Sequence, residues 1–250
     1  MIREHLFDRR VATDALFRWR GGDVSRLEGL SDGVFAVTLT LLIVAQPPTT
    51  FYGLWLVIRD IPVFLTCFTL LMLAWRYHYL FFRRYGLEDF ATSVLNGVFL
   101  FLVLFYAYPL KFLATFLWRS ILGDDNLSMF VVPEGVDWAG DGFQRAGMMY
   151  FFGLGVVGVF GVLAALVFRA YWLSEQLELD ALERYLTRAS IRSHLLTVAV
   201  AGLSLLTLLL GGQPGWAGIV YFLLPPIHIA DTIFTRLTAE RLRKQIAQDG

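Results

Sequence analysis

Polar side chains whose types could do chemistry stand at the start of the first long apolar run of the chain. They are Arg26, Glu28, Ser31 and Asp32. Residues 34–45 follow, and their only polar side chains are threonines. A helix of about 20 residues, rising 1.5 Å per residue, crosses a hydrocarbon core of roughly 30 Å. Asp32 would then lie in or beside the membrane, where an ionisable group is costly and usually has a partner and often a function.

One narrow stripe of this segment is apolar when it is drawn as an ideal helix with about 100° per residue. The stripe consists of Leu30, Gly33, Val37, Leu41 and Val44, with Thr40 on its shoulder. Ser31 and Asp32 point away from it, towards neighbouring helices. An apolar stripe suits ordinary helix packing as well as a pore, because lipid is as apolar as leucine. The polar cluster favours a functional helix, and a structural network that holds helices together is the alternative.

The composition is that of an integral membrane protein. It is 57% hydrophobic and 17% charged, with a mean hydropathy of +0.60, whereas soluble domains are about a quarter charged. The net charge of +0 gives no attraction to nucleic acid. Cys67 is the single cysteine, which excludes an internal disulfide and a multi-cysteine metal site. His194 and His228 lack metal-ligand spacing, and no nucleophile–base motif predicts an enzyme.

Apolar segments separated by glycine and proline predict an all-α bundle of six transmembrane helices. The spans cover approximately 26–45, 61–80, 90–117, 146–173, 194–211 and 216–234. This organisation divides the chain into an N-terminal arm (1–22), a transmembrane domain (23–235) and a C-terminal tail (236–250). Six spans place both termini on one side of the membrane.

The lysines and arginines predict which side that is, because positively charged loops stay in the cytoplasm. The sequence contains 21 of them, and all but four fall on the side of the termini. The four exceptions are Arg59, Lys111, Arg119 and Arg145. We therefore expect a multi-pass protein with both termini in the cytoplasm.

The segment Arg26-Leu-Glu-Gly-Leu30-Ser31-Asp32 resembles the signature Arg-x-x-x-Phe-Ser-Asp of the transmembrane protein 175 family. This family comprises the lysosomal potassium channel and its bacterial and archaeal relatives. Leu30 stands where the family usually has phenylalanine. Trp75 and His78 resemble the Trp-x-x-His end of the second helix of the family, and Asn96 resembles its buried asparagine. The resemblance implies a structural polar network, whose members are Arg26, Ser31, Asp32, Trp75, His78 and Asn96.

The resemblance also implies a prokaryotic potassium channel of the plasma membrane. The bacterial relatives are homotetramers with one six-helix unit per chain, and the first helix lines a central pore. The single copy of the Ser-Asp-Gly motif agrees, since one helix cannot enclose a pore alone. By alignment, Val37, Leu41 and Val44 would form the pore constriction, and apolar rings of this kind gate by dewetting. Thr40 would supply the hydroxyl that contacts the ion or its water.

Two other functions stay open at this point. A proton-coupled or other secondary transporter would use Asp32 and His78 as a protonation relay, although the chain lacks the inverted repeats usual in carriers. A membrane scaffold without transport is the third possibility. For the channel we expect membrane lipids and monovalent cations, chiefly potassium, as partners. We expect neither a cofactor nor a bound metal site, and no nucleic acid.

Overall fold

The computed structural model describes residues 16–43, 48–123 and 141–249. The regular structure in these ranges is helical, so the predicted all-α class is confirmed. The helices are α1 (Arg26–Ile43), α2 (Phe51–Arg59), α3 (Ile61–Tyr85), α4 (Phe90–Leu122), α5 (Asp141–Trp172), α6 (Ala181–Leu209), α7 (Pro214–Ile219) and α8 (Leu224–Asp249), and a short 3₁₀ segment, Val220–Leu223, joins the last two. Val44 and most of the N-terminal arm lie outside the described residues.

Most of the predicted spans are helices that could cross a membrane. Five segments of the described chain are long and apolar enough to do so, namely α3, α4, α5, α6 and the run from α7 into α8. The predicted first span corresponds to α1, which is 18 residues long and carries Arg26, Glu28 and Asp32. The predicted multi-pass helical bundle therefore agrees with the structure, with α1 as its most charged predicted span.

Helix boundaries differ from the sequence prediction where capping residues decide them. The polar stretch before the fifth span is the beginning of α6, because Asp180 caps the helix and forms a capping box with Glu183. The residues just before the predicted second span form a separate helix, α2, and α3 begins anew with Pro62 in its first turn. At the other end of the chain, α8 continues without a break past residue 235.

The helix α1 packs against α3 and α4, and α5 packs against α4 and α6. The central core between α1, α3 and α4 is apolar and fully buried. Its main members are Phe35, Leu42, Cys67, Leu71, Phe99 and Val103. A second core, around Phe82 and Leu166, packs the ends of α3 and α5 together. These two cores fix the depth and the rotation of α1 relative to its neighbours.

Side-chain contacts gather several helix ends at one end of the bundle, which we call the arginine-rich end. Arg83, at the end of α3, donates a hydrogen bond of 2.7 Å to the carbonyl of Gly22, just before α1. Arg169, at the end of α5, pairs with Asp89, which caps α4. Arg20, ahead of α1, pairs with Glu183 in the first turn of α6. The residues that the sequence assigns to the cytoplasm therefore meet at one end.

Candidate functional site

A chain of hydrogen bonds joins α1, α3 and α4 inside the bundle. Nε2 of His78 lies 2.7 Å from Oδ1 of Asn96, and Nδ2 of Asn96 donates to Oγ of Ser31 at 3.1 Å. The hydroxyl of Ser31 then donates to the Leu27 carbonyl of its own helix at 2.8 Å. His78, Asn96 and Ser31 are each no more than 2% exposed. Each of these three buried side chains thus has a hydrogen-bond partner, as burial in a membrane demands.

The contact with Asn96 assigns a donor role to one ring nitrogen of His78. Oδ1 of Asn96 can only accept, so Nε2 of His78 must carry the hydrogen. The imidazole also packs between aromatic rings, with Phe99 nearly parallel to it at 5.3 Å and Phe82 at 4.8 Å. A buried ring that packs on two aromatic side chains and hydrogen-bonds through its edge has the surroundings of a structural residue.

Asp32 belongs to a separate contact on the same side of α1. Its Oδ1 accepts a hydrogen bond of 2.9 Å from Nε1 of Trp75, and the indole stacks on Tyr79. The Asp32 side chain is otherwise exposed in the single chain. Within the described ranges, Asp32 and His78 share no hydrogen bond. The single network that the sequence predicts is thus two contacts, one buried and one at the surface of the protomer.

The structure places Arg26 apart from both contacts. Its side chain is exposed, and in the described part of the chain it forms no hydrogen bond or ion pair with the other predicted network residues. The charges near the start of α1 pair differently, since the buried Glu28 lies 3.7 Å from the Arg83 guanidinium. Glu28 and Ser25 also form a reciprocal capping box. Ser25 is a cap that the sequence suggests, and the Ser-x-x-Glu spacing is the signal that adds Glu28 to it.

A second buried ion pair, which sequence reasoning also missed, holds the segment ahead of α1. Nη2 of Arg20 lies 2.6 Å from Oε2 of Glu183, and the two side chains are only 13% and 3% exposed. The same guanidinium donates to the carbonyls of Leu177 and Glu178 in the turn between α5 and α6. Glu183 also accepts a hydrogen bond from the backbone of Arg18. No sequence spacing could have paired residues 163 positions apart.

The predicted pore stripe lies on the face of α1 that the rest of its own chain leaves uncovered. Leu30 and Val37 are 60% and 54% exposed, Thr40 is exposed and Leu41 is half-buried. The Thr40 hydroxyl donates to the Ala36 carbonyl at 2.8 Å, which leaves its oxygen lone pairs able to accept. The opposite face of α1 is buried in the central core through Phe35, Thr38 and Leu42. Val44, the last predicted ring, falls outside the described residues.

The far end of α1 is held by a lysine. Nζ of Lys111, on α4, donates to the Leu42 carbonyl at 2.6 Å. A cation at the carboxyl end of a helix satisfies a free carbonyl and complements the helix dipole. Lys111 is one of the few basic residues that the sequence places away from the arginine-rich end, and this contact accounts for it.

The histidines and the cysteine do not form a metal centre in the described ranges, where no group of three or more His, Cys, Asp or Glu side chains could hold an ion. His228 instead contacts hydroxyl groups, with Nε2 2.9 Å from Oγ1 of Thr197 and Nδ1 3.3 Å from Oγ of Ser193. Cys67 is fully buried in the central core.

Similarity to known proteins extends over this site and beyond it. The family model described as the endosomal/lysosomal potassium channel TMEM175 matches residues 26–106, which contain both polar contacts. A potassium channel of Marivirga tractuosa is 35% identical over 250 residues, spanning 96% of this chain and 97% of that protein. The chain belongs to the TMEM175 family. The family membership that the sequence motif predicts is thereby confirmed.

A solved structure supports the same assignment at the level of the fold. The potassium channel MtTMEM175, crystallised as a variant in complex with a nanobody–MBP fusion protein, superposes with a TM-score of 0.75 at 35% identity. The match covers 90% of this chain and 97% of that one. A potassium channel of Chamaesiphon minutus is 31% identical over 107 residues, which is 38% of this chain and 51% of that protein. This chain therefore has the same helical fold as a potassium channel of known structure.

Proposed function

We propose that this TMEM175 protein is a potassium-permeable cation channel, in which four copies of α1 surround a central pore. The observation that carries the proposal is the uncovered stripe of α1, together with membership of the family. A helix with one face buried in its own bundle and the other uncovered is suited to line a path between subunits. The homotetramer follows the bacterial members of the family.

The composition of the uncovered face supports contact with other protein chains rather than with lipid. It holds Gly29, Gly33 and Ala36, and an added Cβ at either glycine would meet open space. Small residues are typical of surfaces where membrane helices approach closely. The same face carries the side chains of Arg26 and Thr40, which hydrocarbon does not solvate.

The proposed constriction consists of Val37, Leu41 and Val44. When such rings are narrow they expel water, and a cation cannot lose its hydration shell there at low cost. Thr40 is the proposed contact for a dehydrating ion because its hydroxyl oxygen lies on the same face as Val37. Potassium is the proposed permeant ion. The proposal includes no cofactor, no catalytic residue and no resident metal.

The proposed setting is the plasma membrane of a prokaryote, with both termini in the cytoplasm. The gathering of arginines at one end of the bundle supports this orientation, since positive charge stays on the cytoplasmic side. Within it, residues 1–22 are the proposed cytoplasmic arm, 23–235 the membrane domain and 236–250 the cytoplasmic tail.

The decisive experiment changes the first proposed ring. Val37→Asn should raise resting potassium flux into liposomes severalfold, because an amide in the constriction keeps it wet. Val98→Asn is the matched control, since Val98 is 43% exposed and belongs to α4, not to the helix proposed to line the pore. Unchanged flux in the Val37 variant, or an equal rise in both variants, would contradict a gate at Val37. A flux that depends steeply on a pH gradient would instead favour a proton-coupled transporter.

A further inference from the structure

Two adjoining cavities lie between α3 and α8, and Tyr77 lines both of them. The first, of about 370 Å³, is bounded by α3, α4, α5 and the start of α8. The second, of about 350 Å³, is bounded by α3, α6 and the next turns of α8. Each volume is within the range of small-molecule sites. Neither cavity is lined by a residue of α1, the helix proposed to line the pore.

The lining residues show that the two cavities are parts of one crevice. On α3 they follow a single helical face through Leu70, Ala74, Tyr77, Phe81 and Arg84. On α8 they likewise follow one face, through Leu224, His228, Asp231 and Thr235. The face on α3 spans about 14 residues, or roughly 21 Å of helix. This is longer than half of a hydrocarbon core of roughly 30 Å.

The chemistry of the crevice changes along its length. The first cavity is lined almost entirely by aliphatic and aromatic side chains, and its few polar groups include Thr197 and His228. The second cavity is polar and lies towards the arginine-rich end, where Arg84 and Arg236 contribute two positive charges. Its only carboxylate, Asp231, is paired with Arg192 at 2.6 Å. The remaining polar lining consists of His194 and of hydroxyl groups, from Tyr77, Tyr85, Ser190, Ser193, Thr232 and Thr235.

The crevice is also poorly covered by the rest of the protomer. In the most apolar part of the last span only 6% of the residues are buried, against 28–33% in the four other candidate spans. The helix α8 packs on α6 and leaves the side towards α3 open. A membrane component can therefore enter the crevice from the bilayer.

We propose that the crevice binds one anionic phospholipid, with an acyl chain in the apolar cavity and the phosphate headgroup beside Arg84 and Arg236. Arginine and hydroxyl groups are the donors that a phosphate accepts from, and basic pockets between membrane helices bind anionic headgroups. The length of the crevice and its change from apolar to cationic match the two parts of such a lipid. This site is independent of the proposed channel function, since it would exist whether or not α1 lines a pore.

The test uses the full-length protein in detergent, titrated with phosphatidylglycerol or phosphatidylcholine of identical acyl chains and followed by native mass spectrometry. We expect tighter binding of phosphatidylglycerol, and we expect Arg236→Gln to weaken it about fivefold. Arg241→Gln, a change of an exposed arginine on the same helix outside the crevice, should leave binding unchanged. Equal affinity for the two lipids, or equal weakening by both variants, would overturn the proposal.

Two further arms separate the lipid from other occupants. Leu73→Trp fills the apolar cavity from a 41% exposed position and should weaken the binding of both lipids without lowering the melting temperature. Glycerol phosphate, the headgroup chemistry without acyl chains, should not compete at the concentrations used. If it competes as well as the lipid, the crevice is a free-phosphate site. If no lipid binds to the assembled protein, a helix of a neighbouring copy occupies the crevice; either result overturns the proposal.

Discussion

Asn96 unites three helices because its amide is both a donor and an acceptor. It accepts from His78 on α3 and donates to Ser31 on α1, while it is itself part of α4. A serine or a carboxylate at this position could not complete both contacts in the same geometry. The mutual pairing of these three buried residues supports a structural role, and a role in conduction is not needed to explain their burial.

Asp32 is the residue whose replacement best separates assembly from conduction. Asp32→Ala removes the acceptor of the Trp75 indole, whereas Asp32→Asn keeps an oxygen in the same place. We expect the alanine variant to destabilise the proposed tetramer by on the order of 1 kcal/mol, measured by size-exclusion chromatography with light scattering. The asparagine variant should retain it. An alanine variant that stays tetrameric but passes no potassium would assign Asp32 to conduction instead.

The polar residues of α1, α3 and α4 show which side-chain contacts could be predicted from the sequence. Order along the spans places Ser31, His78 and Asn96 at a similar depth, and the structure brings these three within hydrogen-bond distance. Depth does not determine side-chain direction, which is why Arg26 points outward while Glu28 turns inward to Arg83. The pore-lining roles of Val37 and its companions remain predictions.

At the scale of whole helices, caps and ion pairs decide where each element begins and how it is fastened. Asp89 accepts from the backbone of Ala91 and from the hydroxyl of Thr92 at the start of α4. It also pairs with Arg169 at the end of α5, with Nε of the arginine 3.2 Å from Oδ1. The hydrogen bond from Arg169 is the main reason that the pKa of Asp89 falls from 3.8 to about 2.

This pair predicts a contribution to stability that depends on pH. Because the pKa of Asp89 is lowered in the folded protein, its stabilisation is complete above about pH 4 and is lost as the pH falls towards 2. Asp89→Asn keeps the cap and removes the charge. The substitution should lower the free energy of unfolding at pH 7 by about 0.5 kcal/mol, as for other partly exposed ion pairs. Between pH 4 and pH 2, the melting temperature of the variant should fall less than that of the unaltered protein.

The control for that prediction is the neighbouring carboxylate. Glu88 is exposed, and Glu88→Gln changes the net charge by the same amount. Thermal unfolding in detergent at pH 7, 4 and 2 compares the two variants with the unaltered protein. If the Glu88→Gln variant has the same change in melting temperature as the Asp89→Asn variant at all three pH values, the effect comes from net charge, and the pair with Arg169 contributes nothing.

Helix boundaries were predictable where a local signal exists and not elsewhere. Pro62 marks the start of α3, and the glycine of the turn after Tyr85 marks its end with a left-handed backbone at φ 59°. The fifth span was predicted to begin at about residue 194, after a polar helical linker. The structure makes most of that linker part of α6, which the capping box and the pairing of Glu183 with Arg20 stabilise at its start.

At the scale of the whole molecule, charge and hydropathy predict the number of spans and their orientation, but they do not predict assembly. The membrane is as apolar as the helix faces that meet in it, so no pattern of leucines distinguishes lipid contact from subunit contact. Both α1 and the first turns of α8 present apolar side chains that the protomer leaves uncovered. Only the packing of the protomer separates them, because α1 is anchored in the core and α8 lies at its margin.

The predicted orientation can be tested with the single natural cysteine as an internal control. Cys67 is fully buried and should not react with a membrane-impermeant maleimide. Gln213→Cys, in the exposed turn between α6 and α7, should be labelled on intact cells. Gln248→Cys, near the end of α8, should be labelled only after permeabilisation, since we place both termini in the cytoplasm. The reverse pattern would invert the orientation, and labelling of both from outside would contradict a membrane crossing by the last span.

The anchoring of the segment ahead of α1 determines how this helix can move. Arg20 is clamped by Glu183, and Gly21 lies so close to α3 that an added Cβ would be 2.5 Å from the Phe82 carbonyl oxygen. At the opposite end, Lys111 holds the Leu42 carbonyl by one hydrogen bond from a flexible side chain. A helix that is held tightly at its N-terminal end and by a single flexible contact at its C-terminal end pivots about the N-terminal end. Any widening between neighbouring copies of α1 would therefore be smallest near Leu30 and greatest beyond Leu41.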